Sequence, residues 1–397
     1  MIEISGRYNR ALVYSDSMDD MAMRYIRLMC ASPLLKGAKI RIMPDVSACR
    51  GCVIGTTMTI NDTVIPSFIG KDGGCGILVC QINVENEIDM FALDRLLKDM
   101  CLSKWNKDEN ALYPSEKIHQ LRFIDKESEE TVRAGFCRLG FGNHFIEMNV
   151  GERGQYYLVI HSGSSLLGKM FLDYYQERAF RKINFGADAA TKILREEYRE
   201  AIKDLIFEPR DLEEYSLGYL PHVYCWLDGE DMRDYLSDIE IVQKYAANNR
   251  QAILDEIMLT IHATRADCFS CVHNYIDTCC GILHKGSISA QKGERVIIPI
   301  HMKAGSLLGV GKGNADYNYS APHGVGKRGY NINLNLAEYI EDMKGIHSAT
   351  VCEETLGESP RAYKDVSQVI DYVRETVDVT EAIKPIYNFR EEKKINK

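Results

Sequence analysis

Lys71-Asp72-Gly73-Gly74-Cys75-Gly76, running straight into Ile77-Leu78-Val79-Cys80, is where the reading of this chain begins. From Gly76 to Val84 the residues are nearly all apolar, which predicts a buried strand. A carboxylate and a thiol precede it with two residues between them, on a backbone loosened by glycines. On such a turn a carboxylate oxygen and a thiolate sulfur can reach one metal, or one sulfur can bridge two. A glycine turn with a buried cysteine describes the same hexapeptide without any ligand. Histidines further along the chain weigh against that plainer description.

Four histidines share one kind of setting. Gly142-Asn143-His144-Phe145-Ile146-Glu147 follows a glycine-rich turn. His161-Ser162-Gly163-Ser164 closes a strand predicted from Tyr156 and opens a helix predicted over Leu166–Ile183. His273-Asn274 follows the Cys268–Cys271 segment, and Ser320-Ala321-Pro322-His323-Gly324-Val325-Gly326 is a glycine-flanked loop. Strand ends and turns are where functional side chains collect.

Around these segments the pattern predicts a strand over 7–14 and a helix capped by Ser17, with Met18, Met21, Ala22, Tyr25, Leu28 and Met29 on one face. A strand over Lys39–Met43 ends at Pro44-Asp45. A loop, Ser47–Gly55, leads to a hairpin over Thr56–Ile69 that turns at Asn61-Asp62. Helices are expected over Asp89–Met100, 187–207, 229–262 and near Ser367–Thr376. Residues 101–140 are mixed and charged, 268–280 are cysteine-rich, Arg295–Ile300 is a strand and 305–313 is a glycine-rich loop. Strands and helices intersperse without a regular βαβ count, so the fold class is α+β, not doubly wound.

The chain has 397 residues, 45% apolar and 26% charged, with a net charge of −9. Any nucleic acid must then be held by a local basic surface. No apolar run is long enough to span a membrane, and Met1-Ile2-Glu3-Ile4-Ser5 lacks the features of a signal peptide. Thirteen cysteines, an odd number, point to reduced thiols in the cytoplasm. Cys49/Cys52 and Cys268/Cys271 are each CxxC pairs, and together they allow either a four-cysteine zinc site or simply buried thiols.

The chain resembles the RtcB-type RNA-splicing ligases. The resemblance runs through Pro44-Asp45-Val46, Asp72-x-x-Cys75-Gly76, Gly142-Asn143-His144-Phe145, His161-Ser162-Gly163-Ser164, His273-Asn274, Lys285-Gly286, Ser320-x-x-His323-Gly324-x-Gly326 and Ala362-Tyr363-Lys364-Asp365. It implies one large RtcB-like domain over residues 1–397, with mixed β-sheets surrounded by helices and a metal site at strand ends. It also implies a ligase joining RNA 2′,3′-cyclic phosphate or 3′-phosphate ends to 5′-hydroxyl ends, with GTP and two Mn²⁺ ions. Metal ligands would be Asp72, Cys75, His144, His161 and His273, with Cys75 bridging. His323 would be the nucleophile that takes GMP; Asp45, beside the metals, and Lys285 would also serve catalysis. Asn143, Phe145, Ser306, Tyr363 and Arg390 would contact the nucleotide. Arg250 would meet an RNA phosphate or form a helix-surface ion pair.

Departures from the family pattern are specific. Ser47 stands where the family has His, Ser165 where it has Arg, and Lys327 where it has Arg. Leu283 and His284 stand for His and Arg, and Arg390-Glu391 stands for a C-terminal Lys-Gly. A lysine keeps charge but not the bidentate fork, and Ser165 keeps neither. Lys71, Lys303, Lys312 and Arg328 are candidate replacement cations. Besides full ligation, two other functions fit: a phosphoesterase or 3′-end guanylylating enzyme that has lost sealing, and a non-enzymatic zinc-stabilised module.

Overall fold

The computed structural model describes residues 1–101, 112–140, 142–329 and 332–391. Part of the mixed segment 101–140, residues 102–111, lies outside them. In chain order the strands are β1 (Ile2–Ser5), β2 (Arg10–Val13), β3 (Ile40–Ser47), β4 (Ile54–Thr59), β5 (Thr63–Val64), β6 (Cys75–Val84), β7 (Phe145–Val150) and β8 (Tyr156–Ser162). They continue as β9 (Leu227–Asp228), β10 (Ala263–Asp277), β11 (Ile282–Lys285), β12 (Ser287–Ser289), β13 (Arg295–His301), β14 (Gly305–Gly311), β15 (Ser320–Pro322) and β16 (Val377–Phe389). The helices are α1 (Asp20–Cys30), α2 (Pro66–Ile69), α3 (Met90–Cys101), α4 (Ser115–Ile118), α5 (Lys126–Ala134) and α6 (Ser165–Phe185). They are followed by α7 (Ala189–Ile202), α8 (Pro209–Ser216), α9 (Gly229–Thr260), α10 (Leu336–Asp342) and α11 (Ile370–Thr376).

Among the described residues one twelve-stranded sheet runs β1-β2-β3-β4-β11-β10-β6-β8-β7-β16-β14-β13. Only β2 and β3 pair in parallel; the other pairs are antiparallel. This is the expected α+β class with a mixed sheet. Alternation sorts the central strands between two cores. Leu78, Cys80, Ile82, Leu158 and Ile160 face the larger core, shared with α6 and α9. Ile77, Val79, Tyr157, Val159 and Cys271 face a smaller core with Ile297, Leu308 and Ile383. Cys75, Phe145, Glu147 and His161 have the parity of the smaller-core face, so that is the face the site occupies. No helix among the described residues is long and apolar enough to cross a membrane.

Several expected elements differ. The strand from Lys39 runs on through Pro44 and Asp45 to Ser47, and its pairing with β4 breaks between Ile42 and Ser47. Pro44 sits in that break, where its missing N–H costs no ladder bond. The predicted 56–69 hairpin does not form. β4 pairs with β3 and β11, Thr63-Val64 pairs with β9, and Pro66 starts a short helix, a position that suits its fixed φ. The cysteine-rich segment is most of β10, and the glycine-rich loop is β14, bonded on both sides by β13 and β16. Helix α1 is capped by Asp19, whose carboxylate accepts from the Ala22 N–H, and Met21 is exposed.

The cysteines also correct an expectation. Cys268 lies directly opposite Cys80 in the β10–β6 register, and the two form a disulfide. With its sulfur taken, Cys268 cannot join Cys49, Cys52 and Cys271 on a zinc ion. No such cluster occurs among the described residues.

Candidate metal and nucleotide site

Four neighbouring strands, β10-β6-β8-β7, carry the ligand-type residues in a row. Cys75 opens β6, His161 lies opposite both Ile77 and Phe145, and His144 immediately precedes β7. His273 sits at an irregularity of β10, where Val272 pairs with Gly76 but Asn274 pairs with Cys75. The extra residue re-aims the side chain there. Helix α9 packs under the turn. Gly74 has φ +80, and a Cβ on it would lie 2.7 Å from the Gln243 Cα, so only glycine fits.

The five side chains converge. Cys75 Sγ is 3.4 Å from His144 Nε2 and 3.3 Å from His161 Nε2. His161 Nε2 is 3.2 Å from His273 Nε2, and His144 Nε2 is 3.0 Å from Asp72 Oδ2. Cys75, His144, His161 and His273 are all buried. Asp72 is anchored through its other oxygen, which accepts from the Ser164 and Ser165 N–H groups at 2.9 and 3.3 Å at the start of α6. Gly163 makes this possible, because a Cβ there would fall 2.0 Å from Asp72 Oδ1.

Hydrogen bonding alone leaves this cluster unsatisfied. His144 Nδ1 is 2.9 Å from the Leu139 carbonyl, so the donated proton sits there and the Nε2 lone pair faces the Asp72 carboxylate and Cys75. The Nδ1 atoms of His161 and His273 are buried with no partner among the described residues, while their Nε2 atoms face each other. Burial, reinforced by neighbouring imidazoles, holds both rings well below the usual histidine range, so they are neutral. Burial and then the Asp72 charge push the Cys75 thiol well above its usual range. A divalent cation would take the converging Nε2 lone pairs and the thiolate, and the mixed sulfur, nitrogen and oxygen donors suit a borderline ion. Cys75, His144 and His161 alone already form a group whose ligand atoms lie within 4.8 Å of one another.

Arg250 supports the row from below. Its Nη1 donates to the Gly74 carbonyl at 2.8 Å and the Ser162 carbonyl at 2.7 Å, and the residue is 1% exposed. It therefore meets neither an RNA phosphate nor a surface carboxylate. Sequence alone did not reveal that α9 passes under two ligand-bearing turns.

Asp45 and His323 form a second unit. Their Oδ2 and Nδ1 are 2.5 Å apart, and the His323 backbone N–H donates to the same oxygen at 3.2 Å. With Nδ1 so held, the Nε2 lone pair is the free one. The His323 ring centroid is 4.8 Å from that of His273.

Both units open on one cleft, with about 860 Å³ of atom-free space including its mouth. Asn143, Phe145, Tyr363 and Arg390 line it, as do Ser47, His301 and Lys327. Arg390 is buried, lies over the Phe145 ring at 5.3 Å and donates to the Asn143 carbonyl at 3.3 Å. Ser306 lies next to Gly305, which lines the cleft, and its buried hydroxyl has no partner among the described residues. Lys285 is not among the residues lining the cleft; it lies opposite Asn274, its buried ammonium donates to the Ile69 carbonyl at 2.7 Å, and its charge acts on the Cys75 thiol. Lys327 is engaged by Glu358 at 2.6 Å and the Gly357 carbonyl at 3.0 Å. Glu147 is a cleft residue that the sequence reading passed over. The signal was present, since Asn143, Phe145 and Glu147 alternate onto one face of a strand.

A family model described as "tRNA-splicing ligase RtcB" matches residues 102–391. The chain is 25% identical over 393 residues to "RNA-splicing ligase RtcB" of Escherichia coli strain K12, covering 87% of this chain and 88% of that protein. It is 22% identical over 410 residues to "RNA-splicing ligase RtcB2" of Escherichia coli strain ATCC 25922, covering 92% of each. With "tRNA-splicing ligase RtcB" of Aeropyrum pernix it shares 25% identity over 476 residues, covering 90% of each.

Proposed function

This chain belongs to the RtcB family of RNA ligases, and from that premise we propose that it joins RNA 2′,3′-cyclic phosphate or 3′-phosphate ends to 5′-hydroxyl ends through a histidine–GMP adduct. The observation that carries the reading is the Asp45–His323 pair, with its free Nε2 in ring contact with the ligand row. Two divalent ions, Mn²⁺ by family resemblance, would be held by Asp72, Cys75, His144, His161 and His273, and would supply polarisation of phosphate oxygens.

His323 Nε2 attacks the α-phosphorus of GTP; the N–P bond forms and pyrophosphate leaves. Asp45 keeps the ring oriented and offsets the positive charge that develops on it. Phe145 offers a face for the base, and Glu147 is a carboxylate suited to the N1–H and N2–H donors of guanine. Asn143, Ser306, Tyr363 and Arg390 contact the remainder of the nucleotide. A cyclic phosphate is opened to a 3′-phosphate first. The RNA 3′-phosphate then takes GMP from His323, and the 5′-hydroxyl displaces GMP to form the phosphodiester. We place this chemistry in the cytoplasm and in one domain over residues 1–397.

The test is incubation with α-labelled GTP and Mn²⁺. Acid-labile label should appear on the protein and be absent from His323→Ala. Label that persists in His323→Ala, or none in the wild type, removes the reading. A second reading, adduct formation with weak sealing, is favoured by two observations. Ser165 carries no charge at the start of α6, and Lys327 is committed to Glu358.

A further inference from the structure

We propose that Glu358 is the positioning residue of the nucleotide cleft: one carboxylate behind the wall that holds Lys327, Tyr363 and Arg390 and couples the two cations to each other. This deepens the nucleotide reading above and rests on it. Glu358 ends a single 3₁₀ segment, Glu353–Glu358, and its side chain is 13% exposed. One of its oxygens takes the Lys327 ammonium at 2.6 Å. The other accepts from the Tyr363 hydroxyl and from Arg390 Nη1, the latter at 3.3 Å. All three partners line the cleft, whereas Glu358 does not.

The partners come from separate parts of the chain. Lys327 follows the His323 loop, Tyr363 follows a short turn, and Arg390 immediately follows β16. Lys327 and Tyr363 are also joined by a backbone bridge. Without the carboxylate, an ammonium and a guanidinium would face each other across one phenol, and their repulsion would turn the exposed Lys327 outward. With it, two cations share one anion. The surplus positive charge faces the cleft, where a nucleotide supplies phosphates and ring acceptors. Arg390 Nε is buried with no partner among the described residues, so part of that guanidinium is still available.

This cluster changes how two sequence departures are understood. Lys327 stands for Arg and Arg390 stands for Lys, and both end on Glu358. Taken singly, one departure is a lost fork and the other a gained one. Around a shared carboxylate they are a single exchange, with guanidinium and ammonium trading sides.

The experiment uses the full chain. GTP and Mn²⁺ binding are titrated calorimetrically in the wild type, Glu358→Gln and Glu353→Gln, the last being an exposed residue of the same turn. Glu358→Gln should weaken GTP binding about tenfold or more, with Mn²⁺ affinity unchanged and adduct formation at saturating GTP within about threefold. Glu353→Gln should match the wild type. Unchanged GTP affinity in Glu358→Gln overturns the proposal, and so does a parallel loss of Mn²⁺ affinity, which marks a merely structural role. Lys327→Arg and Arg390→Lys are then measured singly and together. The double variant should lose less GTP affinity than the product of the single losses; simple multiplication of the two overturns the coupling. A wild type that takes up no GTP overturns the nucleotide reading itself and this proposal with it.

Discussion

His323 has two ring nitrogens, and Asp45 occupies one of them. Asp45→Asn keeps the shape but removes the charge that orients and balances the ring. Label transfer from GTP should fall about a hundred- to ten-thousand-fold, while Mn²⁺ binding by titration stays at the wild-type level. Cys75→Ala removes the sulfur at the centre of the ligand row and should abolish tight metal binding by mass spectrometry. Cys49→Ala should leave it intact, because Cys49 belongs to no ligand cluster among the described residues. Glu147 titrates where it can be observed. Burial lifts its pKa from 4.5 to about 7, so the folded state holds this proton more tightly than the unfolded chain does. The stability it contributes is complete below about pH 4.5 and is lost as pH rises through 7, roughly 3 kcal/mol across the window. Glu147→Gln should therefore melt above the wild type at about pH 8 and close to it at about pH 5, by calorimetry across that range. A gap in melting temperature that does not vary with pH would refute this assignment.

At the scale of elements, Asp72 is held by the start of α6, and Gly163 is the hinge of that arrangement. Gly163→Ala should push the carboxylate off its two N–H donors and weaken Mn²⁺ binding about 10- to 100-fold, read by titration on protein whose circular dichroism is unchanged. How much of this was legible depends on where the information lies. β6, β8 and α9 announce themselves through apolar runs or a 3.6-residue stripe, and the histidines through their glycine turns. β10 did not, because one half of it is exposed and carries Thr, Arg, Asp and Ser. β16 was hidden by Asp378, Thr380, Glu381 and Pro385, and β14 by its glycines. The hairpin failed because β4 finds a better partner in β11, more than two hundred residues away. Arg250 and Glu358 have roles set entirely by tertiary approach, which no local pattern encodes.

Over the whole molecule, a net charge of −9 leaves RNA to a few local cations. Of the candidate replacements, Lys303 and Lys312 are paired with Asp342 and Asp378, and Arg328 Nε is spent on the Tyr363 carbonyl. Lys71 has no ion pair among the described residues. Ser165→Arg alone should therefore raise the sealing of a generic broken stem-loop without altering adduct formation, both measured on labelled substrates. Sealing by the wild type already as fast as its own guanylylation would refute this. The sheet order carries one more consequence. β10 is inserted between β6 and β11, and β16 between β7 and β14, so the middle of the sheet is filled by late segments. Such distant pairings fold slowly. During synthesis the row of ligand-type side chains waits for His273, His323 arrives fifty residues later, and the cleft wall closes only with Arg390. A chain that stops short of His273 therefore lacks part of the ligand row, and one that stops between His273 and His323 carries all five ligand-type side chains without the Asp45–His323 pair.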